Sequence, residues 1–330
     1  MKKIRWGILG CGNIAKKMAS DLQYVEGAEL VACGSRSQSV ADEFANKFSI
    51  SHSHGSYEAL VNDKDVDVIY VASPHGLHYE HVLLCLKSKK AVLCEKAFAI
   101  NSRQANEMIS EARKQNVFLM EALWSKFTPQ HDIVQQIIKN GDLGEIQSMI
   151  VNFGFIPEPP FSARLFEPSL GGGSLLDIGI YNVFYALSVL GRPDIIEASM
   201  TPATTGVDEQ CAATFRYSDG RIAQLFSTFS SNLATEADIN GRKGRLRLTP
   251  RFYNPTTATI EFYPGKIDSK QIIPHHSEPG FGYQYQAKHV CDCLRQGITE
   301  SPVMTHADTL LIMETMDRIR SIAGIHYEVD

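Results

Sequence analysis

Residues able to do chemistry are concentrated in a few short segments. Gly10-Cys11-Gly12-Asn13-Ile14-Ala15 follows an apolar run, Ile4 to Leu9, and leads into a helical pattern, Ile14 to Val25. A first glycine permits a tight turn, a second lets backbone approach a phosphate, and a small third residue lets helix pack on strand. Strand, turn and helix N-terminus in that order offer free N–H groups to a pyrophosphate, the context a dinucleotide fingerprint requires. Glu95-Lys96 stands just past a later apolar run, and Ser73-Pro74-His75-Gly76-Leu77-His78 closes the run before it. Both lie where parallel strands gather ligands at their carboxyl ends. Further on, Gly171-Gly172-Gly173 precedes a helical pattern bearing Asp177-x-Gly179-x-Tyr181. Four residues apart, Asp177 and Tyr181 share a helix face.

The residues after the second strand bear on which dinucleotide is held. NAD sites of this type place a carboxylate there to hold the ribose 2′-hydroxyl. Here the segment reads Cys33-Gly34-Ser35-Arg36-Ser37, with no acid. A guanidinium flanked by hydroxyls suits a 2′-phosphate, since arginine offers planar, paired donors. NADP is therefore expected over NAD, with Ser35 and Arg36 as contacts. Arg36 could instead stack on adenine in an NAD protein, or be a solvated loop residue.

Regular elements must position these groups. Over the first 120 residues strands and helices alternate: Ala28 to Cys33, a helix from Ser37 to about Phe48, Val66 to Ser73, a helix through Leu86, and Ala91 to Cys94. Asn101 or Ser102 caps the next helix, with Gln104 placed as in a capping box, and Val117 to Met120 closes the series. This alternation implies a parallel, doubly wound α/β Rossmann sheet. After residue 122 the pattern changes. A helix, Pro129 to Asn140, is followed by alternating segments: Ile146 to Phe155, Gln210 to Tyr217, Arg221 to Ser230, Glu236 to Asn240, Gly244 to Leu248 and Thr257 to Tyr263. Asp219-Gly220 reads as a two-residue hairpin turn. The expected organisation is a nucleotide-binding domain, 1–122, and an α+β substrate and dimerisation domain, 123–330, with an open, mainly antiparallel sheet. Two helical patterns, Gln284 to Gln296 and Ala307 to Ala323, end the chain, and 157–160, 171–173 and 274–282 read as loops.

Composition limits the alternatives. A chain of 330 residues with 44% hydrophobic and 21% charged content has ample material for two cores. A net charge of −5 argues against a nucleic-acid or anionic-membrane partner. No apolar run approaches the roughly 18 residues of a membrane span. The start, MKKIRWGILG, has too short an apolar run for a signal sequence and ends in the fingerprint. Cys11, Cys33, Cys85, Cys94, Cys211, Cys291 and Cys293 form no CxxC and lie mostly in apolar patterns, so reduced thiols in a cytoplasmic protein are expected.

Together these residues resemble the Gfo/Idh/MocA family of oxidoreductases. Its outline is a GxGxxA turn, a T/S-P-x-x-x-H segment, an E-K-P segment and a D-x-G-x-H/Y helix. The resemblance covers essentially the whole chain. Four strings carry it further, toward a subgroup oxidising dihydrodiols and D-xylose with NADP: Ala91 to Lys96 (AVLCEK), Leu119 to Trp124 (LMEALW), Leu176 to Tyr181 (LDIGIY) and Tyr285 to Val290 (YQAKHV). The resemblance implies an active-site lysine at Lys96, an acid/base at Tyr181, a substrate-orienting carboxylate at Asp177 and a nicotinamide-pocket wall at His78. It also implies cofactor contacts from residues 10–15, Ser35, Arg36, Ser73, Pro74, His75, Glu95 and Lys96. Trp124 and Phe153 join Asp177 and Tyr181 as pocket residues, and the site falls between the domains. A homodimer through the second sheet is implied as well; Ala223 to Phe229, with large apolar groups at alternate positions, is consistent with it. One departure stands out: Glu-Lys-Pro is here Glu95-Lys96-Ala97, so a cis bond after the lysine is not assured by proline.

The chemistry is coherent. Oxidising a secondary alcohol needs a hydride acceptor and a base for the hydroxyl proton. Free tyrosine, with a pKa near 10, is a poor base at neutral pH, and a lysine within about 4–6 Å favours its phenolate by one to three units. Expected substrates are vicinal diols or cyclic sugars. An NAD-dependent sugar or inositol dehydrogenase of the same family, and a catalytically silent NADP-binding sensor, are the rivals; a sensor needs neither Lys96 nor Tyr181. Bland readings apply elsewhere. His75, His78 and His81 recur every third residue without an acidic or Cys partner at ligand spacing, so no metal is expected. His52, His54, His275 and His276 read as loop residues. Trp124, Phe127, Phe153, Phe155 and Phe161 divide between core and an apolar pocket wall.

Overall fold

The computed structural model describes residues 2–159, 162–263, 270–272 and 279–330, forming two compact units. Phe161, His275, His276 and most of the 274–282 loop lie outside the described residues. The first unit comprises Met1–Trp124 and Glu278–Leu310, the second Ser125–Ser277 and Leu311–Asp330.

In the first unit β1 (Ile4–Leu9), α1 (Asn13–Leu22), β2 (Ala28–Gly34), α2 (Gln38–Phe48), β3 (His52–His54), α3 (Tyr57–Val61), β4 (Val68–Val71), α4 (His78–Lys87), β5 (Ala91–Glu95), α5 (Ser102–Gln115) and β6 (Leu119–Ala122) follow one another. The strands form one parallel sheet in the order β3-β2-β1-β4-β5-β6. β4, β5 and β6 are buried along their whole length, as parallel strands covered on both faces require. The order reverses between β1 and β4, so the crevice for a ligand opens beyond Leu9 and Val71. Asn101 caps α5, its Oδ1 accepting from Gln104 N–H at 2.9 Å. Gln104 answers one residue earlier than a capping box requires, accepting from Ile100 N–H at 3.1 Å.

The expected cut at residue 122 falls within two residues of the first crossing, but Glu278–Leu310 return to the first unit rather than staying with the second. Specific bonds explain this return. Asp21 on α1 accepts the N–H groups of Phe281 and Tyr283 at 2.9 and 2.8 Å, fixing the start of α9 (Tyr283–Gln296). At its far end Arg295 donates to the Glu26 carbonyl at 2.9 Å. At the start of α10 (His306–Ala323), Thr309 donates to the buried Glu121 carboxylate at 2.9 Å.

The second unit holds α6 (Pro129–Asn140), β7 (Ile146–Gly154), α7 (Ser162–Leu165), α8 (Ile180–Leu190) and β8 (Ile195–Pro202). Then come β9 (Asp208–Arg216), β10 (Ile222–Thr228), β11 (Ala237–Gly241), β12 (Gly244–Thr249), β13 (Thr257–Phe262) and β14 (Lys270–Ile272). They make one sheet ordered β14-β13-β12-β11-β7-β10-β9-β8. It is antiparallel except that β7 and β10 run parallel, so it is mixed. β8, with its weak Ile-Ile-Glu-Ala-Ser pattern, was not legible in the sequence. The β9–β10 connection has three residues, not two: Tyr217 pairs with Arg221, and Gly220 takes φ +92° in the left-handed region glycine tolerates. The stretch Pro168–Leu190, with a mean hydropathy of 1.4, is long and apolar enough to cross a membrane, contrary to expectation, but it is mostly buried, which marks a core segment.

His131 on α6 shows how that core is tuned. Its ring packs 5.2 Å from Phe184 and 5.8 Å from Tyr185, with Nδ1 buried and unpartnered. Burial pushes its pKa down to about 4, so it is neutral in the folded state. The unfolded histidine binds a proton below about pH 6.5 while the folded one resists until about 4, so stability falls as pH drops through that window. Between pH 7 and 5 this single group accounts for about 2 kcal/mol of lost stability. His131→Phe is expected to flatten the stability–pH curve by about that amount in urea unfolding; an unchanged slope contradicts the assignment.

Candidate active site

The first unit builds a dinucleotide cradle from backbone. β1 ends at Gly10, whose φ of +95° and closeness to Ala72 O (3.2 Å from an added Cβ) leave no place for a side chain. Gly12, the N-cap of α1, has ordinary φ of −79° and nothing within 4 Å of an added Cβ. No side chain caps α1, so its first-turn N–H groups face open space, as a bound pyrophosphate needs. Cys11, Asn13 and Ile14 form the turn with these glycines, and Ala15 is buried against the sheet.

Beyond β2, Ser35 N–H donates to His54 O at 3.0 Å, and Arg36 is exposed. Arg36 acts electrostatically on Tyr57 and on His81, whose rings meet edge-on at 4.6 Å. Tyr57 and His81 were not anticipated here; only the topology brings α3 and α4 to the β2 end.

Beyond β4, Ser73 is held twice, its hydroxyl 2.8 Å from His81 Nδ1 and its carbonyl 2.8 Å from His78 Nε2. The other nitrogen of His78, Nδ1, lies 2.8 Å from Ala97 O. His78 is fully buried, and burial pushes its pKa down to about 4 against the pull of both carbonyls. Neutral, the ring has one N–H to donate, so it hydrogen-bonds one of the two carbonyls while its other nitrogen lies against the second, and it packs between the segments that follow β4 and β5. The Lys96–Ala97 peptide is cis even without proline. Lys96 is half-buried, while Glu95 is buried and receives the Tyr70 hydroxyl. His75 is buried in the short turn after Pro74. Trp124, expected in the substrate pocket, is buried and stacks on Tyr283 at 4.7 Å.

In the second unit the Asp177 segment is not regular helix. Leu175–Gly179 forms one π-helical turn before α8, a wider turn found often at functional sites. Its start is anchored by buried Asp208, which accepts from Leu175 N–H at 2.6 Å and Ser174 Oγ at 2.8 Å. Burial raises the Asp208 pKa to about 6 despite these donors. Asp177 pairs with Arg164 at 3.0 Å. Tyr181 lies in an aromatic stack, 5.0 Å from Tyr253, which in turn lies 4.6 Å from Phe153 and nearly parallel to it. Phe153, Phe155, Leu233, Thr235, Arg251 and Tyr253 line a cavity of about 410 Å³. Tyr253 and Arg251 were missed because their turn follows β12 without a motif; the aromatic pair Phe252-Tyr253 after Pro250 was the available signal.

The open space at Gly12 gives a direct test. Gly12→Ala is expected to leave thermal stability within about 1 °C while weakening dinucleotide binding about tenfold or more by fluorescence titration, because the methyl group occupies the phosphate's place. Unchanged affinity contradicts a pyrophosphate at this turn.

Comparison with known proteins agrees with this architecture. Residues 4–123 match the model of the oxidoreductase family with NAD-binding Rossmann fold, and residues 131–247 match the GFO/IDH/MocA C-terminal domain. Trans-1,2-dihydrobenzene-1,2-diol dehydrogenase of Xenopus tropicalis is 37% identical over 98% of this chain and 99% of its own. The Mus musculus enzyme of that name is 34% identical over 99% of each. Among solved structures, the 3-ketoreductase KijD10 of Actinomadura kijaniata, in complex with NADP and TDP-benzene, superposes with a TM-score of 0.87 at 27% identity, covering 98% of both chains. The chain belongs to the Gfo/Idh/MocA family of NAD-binding oxidoreductases.

Proposed function

We propose that this oxidoreductase uses NADP to transfer a hydride between nicotinamide and a secondary alcohol of a vicinal diol or cyclic sugar. The observation that carries the reading is buried His78, packed between the Ser73 and Ala97 carbonyls, which puts the Lys96–Ala97 segment at the same strand edge as the dinucleotide turn. The end-to-end likeness to dihydrodiol dehydrogenases supports the diol, and the NADP of the ketoreductase complex supports NADP. Exposed Arg36 beside Ser35, with no acid in that turn, fits a 2′-phosphate. Titration of the protein with NADPH and NADH separates this choice from NAD.

When bound, the nicotinamide supplies the hydride acceptor or donor. This chain's residues do the rest. Lys96 presents an ammonium that orients the substrate hydroxyl and favours its ionised form. Tyr181 takes or returns the hydroxyl proton. Asp177, its charge held by Arg164, orients a neighbouring hydroxyl, and Tyr181, Tyr253 and Phe153 offer ring faces to the carbon skeleton.

The assembly in this reading is a homodimer through the second sheet. Its support differs from the sequence argument: Ala223, Leu225 and Phe229 are buried within the unit, while Ile150, Ile222 and Phe226 lie on the sheet's open face. Light scattering at micromolar concentration gives the mass that decides it. A cytoplasmic setting accords with seven free cysteines, six of them buried.

Tyr181→Phe keeps the aromatic stack and removes the hydroxyl. Turnover on a diol and pentose panel is expected to fall 10²–10⁴-fold while NADPH binding stays within about twofold. Near-normal turnover moves the proton to another group and defeats the assignment.

A further inference from the structure

We propose that His52, His54 and Asp63 form a binding site for a zinc-class divalent transition-metal ion at the edge of the first unit's sheet. The sequence reading placed the two histidines in a loop; they are instead alternate residues of β3, and alternation sends both side chains to one face. Asp63, from the turn after α3, meets them there. His52 Nδ1 lies 2.7 Å and His54 Nε2 2.9 Å from the same oxygen, Asp63 Oδ2. All three donor atoms fall within 4.8 Å of one another. The other carboxylate oxygen is occupied by Asp65 N–H at 2.9 Å, which leaves Oδ2 as the shared ligand atom.

The donor chemistry suits a borderline ion. Two imidazoles and one carboxylate are an open three-ligand zinc set, with water at the fourth position. Metal–ligand bonds of about 2.0–2.2 Å in a tetrahedral site hold donors about 3.3 Å apart, so the present contacts open by roughly half an ångström on binding. The nearby cation does not block the site, since Lys90 Nζ donates to the carbonyl oxygens of Asp63 and Val66 rather than to the carboxylate. Side-chain exposures of 39% for His52 and 22% for His54 leave a path for the ion, while Asp63 at 7% is fixed in place.

The bound ion would clip the outermost strand to the α3 turn. Because Ser35 N–H donates to His54 O, that clip lies directly beneath the Ser35–Arg36 turn. The ion is structural in this proposal and takes no part in hydride transfer.

The test uses the intact, chelator-treated protein titrated with zinc and with cobalt(II). Zinc is expected to bind one ion per chain in the micromolar range or tighter and, in excess, to raise the melting temperature by about 3 °C or more. Cobalt should show visible d–d bands without sulfur-to-metal charge transfer. His52→Ala and His54→Gln should each weaken binding at least tenfold and abolish the thermal shift. His52 is the more exposed, so its variant keeps the test valid if His54→Gln folds poorly. No saturable binding, or binding that survives both substitutions or shows thiolate charge transfer, overturns the proposal: the cluster is then a hydrogen-bonded pair of histidines on a carboxylate.

Discussion

A single imidazole with no exposed surface faces two carbonyl oxygens at 2.8 Å, one at the end of β4 and one in the segment after β5. Removing the ring would leave the buried carbonyl that receives its N–H unpaired, at about 1–3 kcal/mol. Much of the first unit's functional edge depends on it. Ser73, its carbonyl 2.8 Å from His78 Nε2 and its hydroxyl 2.8 Å from His81 Nδ1, shapes the wall opposite Gly10. Ala97, its carbonyl 2.8 Å from His78 Nδ1, continues the backbone on which Lys96 stands. The Tyr70 hydroxyl on Glu95 secures the preceding residue from within the sheet. The wall of the dinucleotide turn and the segment that carries the lysine therefore meet at one buried side chain.

The second unit solves a similar problem with a carboxylate. Asp208 anchors the first residues of the π turn, and the Tyr327 hydroxyl donates to Gly172 O at 2.5 Å from the chain's last segment. Gly173, at φ +117° and against Asp208 and Tyr327, has no room for a side chain. The glycine run is thus a packing necessity that delivers Asp177 and Tyr181 at a defined pitch. The aromatic stack of Tyr181, Tyr253 and Phe153 then restrains the phenol laterally.

The parts legible in the sequence were those with local causes. The glycine turn, the α5 cap and the buried parallel strands follow from spacing and side-chain type, and the structure shows them. What was not legible depends on distant contacts. Glu278–Leu310 return to the first unit through Asp21, a residue whose partners lie about 260 positions away. The burial of His78 between the Ser73 and Ala97 carbonyls joins residues 19 positions apart and is not written in its motif. The parallel pairing of β7 with β10 leaves no mark on alternation, since both hands of pairing use period two. Tyr253 belongs to a turn with no motif, and its ring matters only because the sheet carries it to Tyr181.

The proposed reading assigns Lys96 and Tyr181 to one chemical step. A double-mutant cycle on turnover, with Lys96→Met, Tyr181→Phe and the pair, measures this directly. If the two act together, the double variant is only slightly slower than the slower single variant, because removing one partner already disables the other. If the losses instead multiply, so that each residue contributes its full factor regardless of the other, the residues act independently and the account is contradicted.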